Sequence, residues 1–241
     1  KGRPGEWRER VVWVGGGGDI SRSTFNPPPP LLVPQLMRDH ANWLERTAVG
    51  PAVLATPIRL ALAHAHFEAI HPFSDGNGRV GRMLLSLMLA AEGHVPVPLS
   101  RVLEANRSGY YDALRLAQQR LDFVPLTLLM CDAIEASARQ AEALDSHLFS
   151  LPAAWRDPAR WPSRRPPRRD GAANRLLDLL PYHPVITVGA VARLLGVSIQ
   201  AANIAVHALV RAGLLVERTG WKRNRAFVCC QALALIVGGE G

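Results

Sequence analysis

HPFSDGNGRVGR, His71 to Arg82, is the stretch on which the reading of this 241-residue chain turns. It gathers a histidine, a carboxylate, an amide, three glycines and two arginines. Met83, Leu84, Leu85, Leu87, Met88 and Leu89 follow, an apolar run that marks a buried helix. The stretch is therefore a loop entering a helix N-terminus, with Gly76, Asn77 and Gly78 at the junction. Glycine lets a ligand come close to the main chain. First-turn N–H groups lack helical partners and attract anions. Arg79 and Arg82 lie three apart and share a helix face. Two guanidinium forks beside such N–H groups suit a polyphosphate. Asp75 adds a hard oxygen, and one carboxylate plus substrate phosphates is enough for Mg²⁺. His71, at the loop's entrance, is the side chain suited to taking a proton near neutral pH.

The run resembles the signature of the Fic family, HxFx[DE]GNGRxxR, at His71, Phe73, Asp75, Gly76, Asn77, Gly78, Arg79 and Arg82. The resemblance extends over roughly residues 8 to 147. VVWVGG (Val11 to Gly16) and NPPPP (Asn26 to Pro30) look like the family's flap and its proline run, the flap covering about 11–26. AHAHFEAIHPF (Ala63 to Phe73) is similar to the helix that delivers the histidine, and NRSGYYDAL (Asn106 to Leu114) to the helix that follows the motif. The resemblance implies transfer of AMP from ATP to a Ser, Thr or Tyr hydroxyl of a protein, with release of pyrophosphate. In that scheme His71 deprotonates the hydroxyl and Asp75 holds Mg²⁺. Gly76, Asn77 and Gly78 cradle the phosphates, the Asn77 amide donating to the α-phosphate. Arg79 and Arg82 hold the β- and γ-phosphates, and Tyr111 and Gln118 approach the adenine. The flap docks the protein substrate by strand addition, and self-modification and a homodimer stay open.

Other features bound this scheme. Gly15 to Gly18 could pass for a phosphate loop, but no Lys-Ser/Thr follows, so a hairpin tip is expected. His64 and His66 fall on a helical run and are read as structural. Doc-type kinases of the superfamily carry a lysine where Gly78 stands, and the glycine argues for the AMP-transfer pose. A donor other than ATP stays open. The family's inhibitory pattern, [ST]xxxE[GN], has no match; Ser100 to Ala105 (SRVLEA) comes close but ends in alanine. An inhibitory helix in a segment preceding Lys1 is therefore an expectation.

The length fits two domains. Helical periodicity predicts helices over 32–47, 56–70, 79–92, 108–120 and 125–144. The fold class is mainly α: a Fic-type helical bundle over 1–150 with a small β-hairpin flap, then a C-terminal winged-helix domain. Between them, 151–171 (LPAAWRDPARWPSRRPPRRDG) is crowded with proline and arginine and reads as a linker. No run of 18 apolar residues appears, so no membrane span is expected. Three cysteines without zinc-ligand spacing and no signal-peptide pattern suggest the cytoplasm.

Residues 172–241 carry a second pattern: helices over 175–180, 188–195 and 199–212, then strands over 214–218 and 225–229. That order resembles a winged helix-turn-helix. Residues 1–150 hold 15 Lys+Arg and 15 Asp+Glu, whereas 151–241 hold 13 and 5. The whole net charge of +8 thus sits in the second part, an electrostatic footprint for DNA. Gln200 and Asn203 are the candidate base contacts; Arg218, Lys222, Arg223 and Arg225 are the candidate phosphate contacts. The alternative function is a nucleotide-sensing, DNA-binding transcriptional regulator.

Overall fold

The structure is a computed structural model that describes residues 5–48, 53–162, 165–221 and 224–238. It divides into two compact units, Lys1–Arg139 and Gln140–Gly241.

The first unit contains α1 (Val33–Ala48), α2 (Thr56–Ile70), α3 (Asn77–Ala91), α4 (Leu99–Ala105), α5 (Arg107–Arg120) and the first half of α6 (Val124–Trp155). Helix α2 lies at its centre, packed against α1, α3 and α5. Its sequence, TPIRLALAHAHFEAI, explains why. Leu60, Ala61, Ala63, Ala65, Phe67 and Ile70 point in every direction around the helix, and all are buried. The alanines let neighbouring helices approach closely. Pro57 occupies the first turn, where a missing N–H costs no bond. The buried Arg59 on α2 pairs with Glu92 at the end of α3 and donates from Nη2 to the Leu44 carbonyl of α1 at 2.8 Å. One guanidinium therefore ties three helices together. Helix α4 is absent from the sequence expectations: seven residues are too few to show an apolar period.

The flap closes on a single bridge, Val14 to Phe25, rather than on a ladder of strands. A 3₁₀ turn over Ile20–Arg22 completes it, capped by the Asp19 carboxylate accepting from Ser21 N–H. Gly16 is required there: it has φ +70°, and a Cβ would lie 2.6 Å from the Arg22 main chain.

The second unit holds the rest of α6, then α7 (Ala172–Leu179), β1 (Val185–Thr187), α8 (Val188–Leu195), α9 (Ile199–Arg211), β2 (Val216–Glu217), β3 (Ala226–Val228) and α10 (Cys230–Val237). The sheet is antiparallel with order β1-β3-β2; Val185 and Val216 both lie opposite Val228. Thr187 and Ser198 cap α8 and α9 through their hydroxyls, and Gly196 between them turns the chain in the left-handed region.

The described part of 151–171 is not simply the extended linker that its composition suggests. Leu151, Trp155 and Trp161 are buried in the second unit's core beside Leu176, Val206 and Phe227. Helix α6 runs through Pro152 to Trp155. Trp161 Nε1–H donates to the Trp155 carbonyl at 3.0 Å, and Trp155 Nε1–H donates to Gln231 at 2.8 Å. Arg156 forks onto both oxygens of Asp178 at 2.8 Å. Two buried tryptophans outweigh the local signal of proline and arginine. The boundary between units accordingly falls inside α6, near 140 rather than 150. Among the described residues no single helix is long and apolar enough to cross a membrane.

Candidate functional site

His71 ends α2 in the left-handed conformation, φ 49° and ψ 61°. A non-glycine residue holds that geometry only where its surroundings enforce it. The enforcing residue is Arg8, which is 4% exposed. Its Nε–H donates to the His71 carbonyl at 2.7 Å. Nη2 donates to the Pro28 carbonyl at 2.5 Å and the Ile70 carbonyl at 3.3 Å. Arg8 thus fastens the N-terminal arm and the proline run to the histidine. Beside it, the Trp7 and Phe73 rings lie 5.4 Å apart. No local sequence signal marks Arg8, because its main partner is 63 positions away.

The loop after His71 is held by Asn77. Its Oδ1 accepts from Phe73 N–H and its Nδ2 donates to the Phe73 carbonyl, each at 2.8 Å. Asn77 is 2% exposed, so its amide fixes the loop. One of the two Nδ2 hydrogens is spent on Phe73, so the expected donation to a phosphate falls to the other. Gly76 precedes α3 with φ +83°, and among the described residues no side chain caps the helix. The first-turn N–H groups of α3 remain available to an anion.

A cleft of about 360 Å³ opens beside this helix end, lined by His71, Gly78, Arg82, Tyr110, Tyr111 and Gln118. Val14, Thr24 and Phe25 of the flap line it too. The structure therefore brings together five of the expected residues: His71, Gly78, Arg82, Tyr111 and Gln118. Asp75 and Arg79 are exposed and face each other at 3.6 Å. Gln119 Nε2–H donates to the Thr24 carbonyl at 3.0 Å, which links α5 to the flap.

Glu68, Arg82, Asp112 and Arg115 bring charge to the cleft beside His71. Burial, and after it the charge of Arg8, lowers the His71 pKa below the ordinary imidazole value, against the Glu68 carbonyl. Arg82 is bound at Nη2 by Glu104 of α4 at 2.7 Å. Glu104 is the glutamate of SRVLEA, so the near-miss pattern does place an acid on the second arginine, from a helix that follows the motif. Glu68, unremarked in the sequence, also lines the cleft; burial pushes its carboxyl up to about 7, with Arg82 opposing. His64 is buried against the Tyr110 hydroxyl at 2.7 Å, and burial lowers it to about 4, in keeping with a structural role. His66 faces His40, Nδ1 to Nδ1, at 3.1 Å.

The cleft thus offers a base, an uncapped helix end, an arginine and an aromatic wall. Residues 1–89 match the Fic/DOC family model. A relative from Aquifex aeolicus (strain VF5) named "Probable protein adenylyltransferase" is 44% identical over 100 residues, covering 42% of this chain and 28% of the relative. Protein adenylyltransferase Fic of Aedes aegypti is 35% identical over 132 residues, covering 54% of this chain and 23% of its own. The chain thus spans about a quarter of the length of these curated relatives. The crystal structure of a Fic family protein from Desulfovibrio desulfuricans G20 superposes with a TM-score of 0.50 at 21% identity, over 95% of this chain and 63% of that one. That likeness is one of fold, and it agrees with the mainly helical architecture.

In the second unit Gln200 and Arg218 are exposed and Asn203 is half-buried. Arg225 is engaged internally: it pairs with Glu217 at 3.1 Å, meets His207 Nε2 at 3.1 Å and lies over the Phe227 ring. Its expected role as a phosphate contact conflicts with those partners. Lys222 and Arg223 lie outside the described residues. Ile199 and Ile204 are each 61% exposed on α9, apolar positions that a DNA-reading helix does not need.

Proposed function

We propose that this protein is a protein adenylyltransferase that moves AMP from ATP to a Ser, Thr or Tyr hydroxyl of a protein substrate and releases pyrophosphate. The observation that carries the reading is the placement of His71 in one cleft with the uncapped N-terminus of α3 and Arg82. His71 accepts the proton of the target hydroxyl, whose oxygen attacks the α-phosphorus as the bond to the β-phosphate oxygen breaks. The α3 N–H groups and Arg82 stabilise charge as it develops on the phosphates. Tyr111 and Gln118 receive the adenosine side, and the flap, through Val14, Thr24 and Phe25, walls the side of the cleft that a target segment takes.

Among the described residues no group of three His, Cys, Asp or Glu could hold a metal ion unaided. A single exposed carboxylate, Asp75, fits Mg²⁺ held jointly with nucleotide phosphates. When bound there, the ion neutralises phosphate charge. The test is incubation with α-labelled or γ-labelled ATP and Mg²⁺. Label from the α-phosphate alone on protein supports the reading; label from the γ-phosphate indicates a kinase pose and overturns it.

For the C-terminal unit we propose a winged helix, on the order α7-β1-α8-α9-β2-β3 with capped α8 and α9. The net +8 of residues 151–241 favours DNA as its partner. Binding that weakens steeply with salt supports this; absent or salt-independent binding refutes it.

A further inference from the structure

We propose that Glu68 is a positioning residue for His71, a buried carboxylate that fixes the imidazole and shares the proton that it takes from the target. The inference rests on the AMP-transfer reading of the same cleft. Glu68 and His71 are three positions apart at the end of α2, and Glu68 Oε2 lies 3.9 Å from His71 Nδ1. The same nitrogen faces the Glu68 carbonyl at 3.4 Å. Both acceptors on that side assign the proton to Nδ1 and leave the Nε2 lone pair for the substrate.

The carboxyl is 8% exposed, and its Oε1 has no hydrogen-bond partner among the described residues. An unsatisfied, buried carboxylate oxygen is costly and has to be accommodated by the fold. The accommodation is Gly81 on α3. A Cβ there would lie 2.5 Å from Glu68 Oε1, so the glycine of GRVGR leaves the space that the carboxyl fills. The groups facing Glu68 are His64 and His71 from its own helix, Arg82 from α3 and Tyr110 from α5. Arg8 acts on His71 from the N-terminal arm, and Glu104 from α4 occupies the outer side of Arg82. Among the described residues Arg82 is the cation that acts on Glu68. It is shared with Glu104, so the carboxylate is not fully neutralised by it.

The proton balance is closed. The O–H bond of the target breaks, the N–H bond at Nε2 forms, and the oxygen bonds to the α-phosphorus as pyrophosphate leaves with its electron pair. The imidazolium so formed is held by the Glu68 carboxylate until the proton passes to solvent. Two ionisable groups 3.9 Å apart should each sense the other's titration.

The test compares wild type with Glu68→Gln, which keeps the shape and removes the charge, and Glu68→Asp, which keeps the charge. Two readouts are taken on the full chain: AMP transfer against pH at saturating ATP, and NMR titration of the His71 ring carbon, assigned with His71→Gln. For Glu68→Gln we expect kcat to fall at least ~10-fold with KM for ATP unchanged. The loss should be largest above pH 7, where Glu68 is ionised, and the His71 ring carbon should sense the Glu68 titration near pH 7 in wild type and lose that step in Glu68→Gln. Glu68→Asp should recover part of the rate. A His71 titration unmoved by Glu68→Gln overturns the proposal. So does a loss confined to ATP binding, which would make Glu68 only a counter-ion of Arg82. If wild type transfers no AMP, the functional reading fails, yet the titration still decides whether the two groups are coupled.

Discussion

Arg8→Ala should loosen the candidate active site and the whole first unit together. The side chain makes two short bonds, to the His71 carbonyl at 2.7 Å and the Pro28 carbonyl at 2.5 Å, and two longer ones at 3.3 Å. A hydrogen bond from a charged donor contributes about 1.5 kcal/mol at the low end of its range, so the two short ones alone give about 3 kcal/mol. The left-handed His71 adds to the effect, since a non-glycine residue there costs roughly 1–2 kcal/mol and loses its clamp. For a chain of this size, 3 kcal/mol lowers Tm by about 6–12 °C. Scanning calorimetry measures this, with AMP transfer assayed at a temperature where the variant is folded. Transfer should drop more than ATP binding, because the histidine is displaced while the α3 helix end stays. Arg8→Lys should recover little, since one ammonium cannot reach carbonyls that a planar fork spans. A Tm within a degree or so of wild type with unchanged transfer would refute this reasoning.

Gly81→Ala places a methyl 2.5 Å from Glu68 Oε1 and 3.1 Å from Phe67, so overpacking should cost about 1–3 kcal/mol, read by urea unfolding. Glu104→Ala frees Arg82 from a partner whose side chain is 60% exposed; titration with ATP should show binding about 2- to 5-fold tighter. The pH dependence of stability has a definite sign at Glu68. Its carboxyl is raised in the fold from 4.5 to about 7, so protonated Glu68 favours folding. That contribution is full below pH 4.5 and lost as pH rises through 7. The Tm of Glu68→Gln should therefore gain on wild type between pH 5 and pH 8, and a constant difference would count against the raised value.

Much of this architecture is legible in the chain. The periodicity of 56–70 and 188–195 predicts the observed bounds of α2 and α8, and Ser198 announces the start of α9. The HPFSDGNGRVGR run foretells a loop entering a helix, because glycine spacing and an apolar run are local signals. What escapes is non-local or too short. Helix α4 spans seven residues, and β1 only three. Trp155 and Trp161 lie in a proline- and arginine-rich stretch whose composition hides their burial. Arg8 acts across 63 positions. Asn77 belongs to the motif, yet only the structure shows that its amide holds the Phe73 main chain. Glu68 did leave a signal, a lone acid among the buried positions of α2 three residues before His71.

The central claim is that His71 is the base of an AMP transfer, and it is tested most directly by pairing two measurements on one variant. Wild type and His71→Ala are compared for ATP binding by calorimetry and for α-label transfer to protein in cell lysate with Mg²⁺. The account predicts ATP binding within about 3-fold of wild type, since His71 contacts no phosphate in this scheme, and transfer reduced at least ~100-fold. Near-normal transfer by His71→Ala would contradict it.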